Sequence, residues 1–116
     1  MAFPATHNIN YYKGDTYEML IKPRTSAGSA FIVTDTLYSV TFKLAPQRGG
    51  PAGETVYGSA SILSENSVLA QITPSVAAQL DSTKTYFYDI RITSVSDPNI
   101  VYTLLNGSVS IVEGVT

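Results

Sequence analysis

The stretch Thr83-Lys-Thr-Tyr-Phe-Tyr-Asp-Ile-Arg-Ile-Thr93 (TKTYFYDIRIT) decides the fold class. Tyr86, Tyr88, Ile90 and Ile92 share one parity, and Thr85, Phe87, Asp89, Arg91 and Thr93 share the other. A period of two is that of a strand with one face in a core, and a helix cannot gather those four apolar residues on one side. Asp89 and Arg91 then lie two apart on the outward face. There, opposite charges give a small stabilisation and remain hydrated. The pair is expected to be the wet side of a strand rather than catalytic machinery.

The same period recurs on both sides of this stretch. Ile9–Lys13 precedes a Gly14-Asp15 turn signal, and Thr16–Lys22 follows it. A loop at Pro23–Ser29 leads to a short apolar run, Ala30–Val33, expected as a strand. In Tyr38–Leu44 the inward set is Val40, Phe42 and Leu44. The Pro- and Gly-rich Pro46–Gly53 is expected to project as a loop, and Val56–Leu63 and Ser67–Thr73 to form a hairpin around Glu65-Asn66. Thr73 can cap a helix with Pro74 at its first position and Val76, Ala77 and Leu80 as its apolar stripe. Ser96–Asn99 reads as a turn, and Asn106-Gly107 as a two-residue hairpin between Ile100–Leu105 and Ser108–Val112. The expectation is an all-β fold: an immunoglobulin-like antiparallel β-sandwich of about seven to nine strands with one short helix near residues 74–80. A small barrel is the alternative. Residues 1–10 are expected as an extended N-terminal arm and residues 11–116 as a single domain.

Composition narrows the function classes. The 116 residues include no cysteine, which excludes disulfides, thiolate metal sites and thiol chemistry. Charged residues make up 14%, against roughly 25% in ordinary soluble domains. The seven basic residues are scattered at a net charge of −2, so no run is suited to neighbouring phosphates and no nucleic-acid partner is expected. The N-terminus lacks the basic and apolar regions of a signal peptide, and no apolar run approaches membrane-spanning length, so synthesis in the cytosol without a membrane partner is expected.

Candidate chemistry is sparse. The single imidazole, His7, lies in the polar arm, where a triad or zinc site would be poorly positioned. Asp15, Asp35, Asp81 and Asp97 occupy turn positions, where a carboxylate accepts backbone N–H bonds, and Glu18, Asp89 and Glu113 fall on polar strand faces. Lys13-Gly14-Asp15 matches adhesive tripeptides, and Asn106-Gly107-Ser108 matches a glycosylation sequon. Gly49-Gly50-Pro51-Ala52-Gly53 has the glycines, but not the lysine, of a phosphate-binding loop. All three are read as structural. No catalytic residue, metal or cofactor is expected. The eight tyrosines are more informative. Adjacent Tyr11 and Tyr12 must face opposite sides, and one of Tyr86 or Tyr88 is expected to form a tyrosine corner. Outward aromatic residues suit protein contacts. The candidate contact residues are Phe3, Tyr12, Arg24, Arg48, Tyr57 and Phe87, and the candidate contact elements are the arm and the loops Pro23–Ser29 and Pro46–Gly53.

Taken in order, GDTYEMLIKP, FIVTDTLYSVTFKL, ITPSVAAQL, YFYDIRI and LLNGSVSIVEGVT resemble small immunoglobulin-like virion proteins of tailed phages. The chain is similar to the N-terminal domain of phage baseplate upper proteins and to short cyanophage structural proteins. The likeness rests on Gly14-Asp15-Thr16 after the first strand, the Tyr86–Ile90 strand, and the ending Leu105, Gly107, Val109 and Ile111. It implies a non-enzymatic virion structural protein, made in the host cytoplasm and present in several copies or as a homo-oligomer. Its implied partners are other virion proteins, either the major capsid protein or tail and baseplate subunits. The baseplate relatives continue into a coiled coil or fibre and this chain does not, so the expectation is an accessory subunit: a capsid decoration (cement) or a tail or baseplate component. A receptor- or carbohydrate-binding module with Tyr12, Tyr57 and Phe87 as a stacking platform is the alternative.

Overall fold

Tyr86, Tyr88, Ile90 and Ile92 are all buried, whereas Thr85 and Arg91 on the opposite parity are exposed. A computed structural model describes residues 5–24, 28–29, 31–47, 55–63, 67–81 and 83–112 of the chain. Its elements are β1 (Ala5–Thr6), β2 (Ile9–Tyr12), β3 (Tyr17–Ile21), β4 (Tyr38–Ala45), β5 (Val56–Tyr57), β6 (Ser59–Leu63), β7 (Ser67–Ile72), α1 (Pro74–Ala77), β8 (Thr85–Ser94) and β9 (Val101–Val112). The larger sheet runs β1-β9-β8-β4-β5, with β2 also paired to β9, and the smaller runs β3-β7-β6. The core draws Phe42, Leu44, Tyr88, Ile90 and Val109 from the first sheet and Met19, Val68, Ala70 and Ile72 from the second. The fold is therefore a two-layer β-sandwich. With β3-β7-β6 facing β9-β8-β4, its strand order is that of an immunoglobulin-like domain.

Local chemistry sets the corners. Thr73 caps α1 by accepting the Val76 N–H at 3.4 Å, with Pro74 at the first position, and the turn carries Val76, Ala77 and Leu80 into the core. Tyr86, at the start of β8, accepts the Asp81 N–H at 3.0 Å, which makes it the tyrosine of the corner. Asp81 also accepts the Thr83 hydroxyl at 2.6 Å and the Thr83 N–H at 2.9 Å, and these bonds, the hydroxyl first, hold its carboxyl below the usual carboxylate range. Asp97 accepts the Asn99 N–H in the β8–β9 turn.

Four expectations are corrected. The arm through Asn10 is not free over residues 5–10. Thr6 pairs with Asn106 and Ile9 with Val109 in a parallel alignment, and Ile9 and Tyr11 enter the core. The sheet is thus not purely antiparallel. Asn106-Gly107 is no hairpin, because β9 runs unbroken through it. Gly107 instead serves close approach: a Cβ there would collide with the His7 carbonyl. Val56–Leu63 is not one strand. It divides at Gly58, with β5 on β4 and β6 on β7, and a Cβ at Gly58 would run into the Phe42 ring. Residues 31–33 form no strand; fully buried Val33 fills the core, and Phe31 meets the rings of Tyr38 and Tyr102.

Candidate functional site

The outer face of the larger sheet carries three of the expected contact residues. Phe87 stands on β8 between Ala45 and Ser108, half-buried. Tyr57, on β5, pairs with Lys43, whose ammonium lies 5.7 Å from the centre of the Tyr57 ring. Tyr12, opposite Val112 on β9, is 56% exposed while its neighbour Tyr11 is buried, as the alternation requires. The three share a face without forming a cluster. Tyr57 is two strands from Phe87 and two residues along, or roughly 12 Å, and Tyr12 is two strands away on the other side and four residues along. Arg24 lies off this face after β3, and donates to the Gly28 carbonyl at 3.3 Å. Phe3 and Arg48 lie outside the described residues, as do residues 1–4 of the arm, 25–27 of the first loop and 48–53 of the second.

Asp89 and Arg91 sit in the middle of this face. Asp89 Oδ2 is 3.5 Å from Arg91 Nη2, while Oδ1 is covered and accepts no hydrogen bond from the described residues. Lys43 on one side and Asn106 on the other flank the carboxylate. The surrounding positions are Thr41, Thr103 and Ser108, half-buried hydroxyl residues. The surface is hydroxyl-rich, with one acid between two cations.

At the far end of the same sheet lies a feature the sequence reading did not single out. Val95 donates its N–H to the Leu37 carbonyl, Ser94 donates to the Ile100 carbonyl, and Val101 pairs with Thr93. Leu37, Val95, Ile100 and Val101 are therefore neighbours, and all four are exposed, Val95 to 61%. Ile32, next to Phe31 of the Phe31–Tyr38–Tyr102 ring cluster, is exposed at the same end. Apolar residues flanking turn signals were the available clue.

His7 occupies the break between β1 and β2. Its Nε2 is 3.3 Å from the Tyr17 hydroxyl, and its carbonyl accepts the Tyr88 hydroxyl at 2.5 Å. Burial, with the neighbouring Tyr17 adding to it, pushes the Tyr88 phenol up to about 12. Burial likewise raises Tyr11, whose hydroxyl donates to the Asp15 carbonyl. Among the described residues no three His, Asp or Glu side chains gather as metal ligands, and no helix is long and apolar enough to cross a membrane.

An open groove of about 460 Å3 runs between His7, Leu105 and the length of β3 to Lys22. It is the gap left where the edge of the smaller sheet meets the edge of the larger. No model of a known protein family matches the chain, and no curated protein matches it either.

Proposed function

We propose that the chain is a non-enzymatic structural subunit of a bacteriophage virion that works by covering and being covered. It docks on other virion proteins as a capsid decoration or as a tail or baseplate component. The observation that carries this reading is the apolar end formed by Ile32, Leu37, Val95, Ile100 and Val101. Five large apolar side chains at one end of a small domain match the water-excluding centre of a protein interface rather than a surface kept wet. The likeness of its strand motifs to small immunoglobulin-like virion proteins supplies the setting, and symmetry in a particle multiplies individually weak contacts.

Purified particles, with the copy number of this chain counted by mass spectrometry, test the reading. Hundreds of copies indicate the capsid and about six to eighteen the tail or baseplate; absence from particles refutes it. Val95→Asp is expected to keep the melting temperature and to lose attachment. A second reading, a carbohydrate-binding module, draws support from exposed Tyr12 and Tyr57 on the face that also carries Phe87. Glycan binding by a monomer, abolished by Tyr57→Ala, would favour it.

A further inference from the structure

We infer that β3 is the seat of a two-fold dimer, in which the smaller sheets of two copies join edge to edge. β3 lies at the edge of the order β3-β7-β6, and among the described residues β7 is the only strand paired with it. One row of its main-chain N–H and C=O groups therefore faces the open groove, the arrangement that accepts an added strand.

The side chains specify which strand. Glu18, Leu20 and Lys22 are all exposed and follow one parity, opposite to buried Met19. This pattern is self-complementary. If a second β3 runs antiparallel with Leu20 opposite Leu20, Glu18 of each copy meets Lys22 of the other, giving two ion pairs about an apolar centre. Moving the register by two residues sets Leu20 against a charge, and parallel pairing in register sets Glu18 against Glu18. Only the symmetric antiparallel alignment satisfies all three positions. It adds about four to six main-chain hydrogen bonds, in symmetric pairs, and turns two three-stranded sheets into one continuous sheet. Leu20, 56% exposed in the single chain, becomes covered. Such a dimer is closed, because each copy uses its one β3 edge. The inference stands whether or not the chain belongs to a virion.

Sedimentation equilibrium of the full chain between about 1 and 500 μM tests it, with melting curves to confirm that each variant folds. The expected result is a monomer–dimer equilibrium. Glu18→Lys or Lys22→Glu alone should weaken association about tenfold, since two attractive pairs become two repulsive ones. Glu18→Lys combined with Lys22→Glu should return the constant to within about threefold of the starting chain. Leu20→Asp, which puts two carboxylates on the axis, should leave only monomer. A chain that stays monomeric throughout, a dimer indifferent to the single substitutions, a combined variant that fails to recover, or open-ended oligomers would each overturn the proposal.

Discussion

Gly107 sits where three parts of the molecule converge. Tyr88 lies opposite it on β8, the His7 carbonyl lies over it, and Asn8 Oδ1 accepts both the N–H and the hydroxyl of Ser108 beside it. Gly107→Ala should therefore destabilise the fold by about 2–3 kcal/mol, because backbone rather than a pliable side chain blocks the added carbon. Urea unfolding measures this. The sequence displayed the glycine and gave the wrong reason for it: Asn-Gly is a local turn signal, whereas the need for space comes from a segment 100 residues away. Tyr88 was placed correctly, since its parity alone puts it in the core. Its phenol carries a second consequence. The group is neutral in the folded state up to about 12 and ionises near 10 when unfolded, so its contribution is complete below pH 10 and lost as pH rises through 12. Stability should fall over that window with a slope from Tyr88 of at most about 1.4 kcal/mol per pH unit. Denaturant midpoints of the wild-type chain and Tyr88→Phe should differ in alkaline slope accordingly.

Among the elements, β2 departs most from what its sequence announces. A polar N-terminal stretch with a single imidazole has the composition of an arm, yet Ile9 is 2% exposed and Tyr12 56%. Ile9→Ala should cost about 2–4 kcal/mol, and Tyr12→Ala should stay within about 0.5 kcal/mol. Both follow from chemical denaturation, and near-equal values would show that the segment does not dock. Alternation was visible in Ile9-Asn-Tyr-Tyr12, but its partner was not, because parallel pairing to the far end of a chain leaves no turn between the two strands. The divided strand at Gly58 was hidden for a related reason. Val56–Leu63 keeps one apparent pattern while its two halves serve different sheets, and only the Phe42 ring fixes the crossing point. By contrast the start of α1 and the Ser96–Asn99 turn were legible, since Thr-Pro and Asp-Pro-Asn act through bonds within a few residues, although the helix ends at Ala77 rather than near residue 80. The candidate faces divide likewise. Outward Tyr57 and Tyr12 follow from parity, whereas the apolar end needs two connections distant in sequence, residues 31–37 and 95–100, to pack side by side.

For the molecule as a whole, β8 is the centre. It is flanked on both sides by β4 and β9 with nearly its full length paired, whereas β5 and β6 lie at sheet edges. Hydrogen exchange should follow that order. Amides of Tyr88 and Ile90 are expected to exchange only through global unfolding and those of β5 and β6 through local opening, so faster exchange in β8 than in β6 would contradict the topology. The docking of β2 on β9 has a consequence for biosynthesis. Ile9 leaves the ribosome first and waits for Val109, 100 residues later, which at ~5–20 residues per second is a delay of roughly 5–20 s. Through that interval Ile9 and Tyr11 have no groove to enter. The nascent chain then carries these two apolar side chains without their partner strand, open to chaperone capture or to clumping with its siblings.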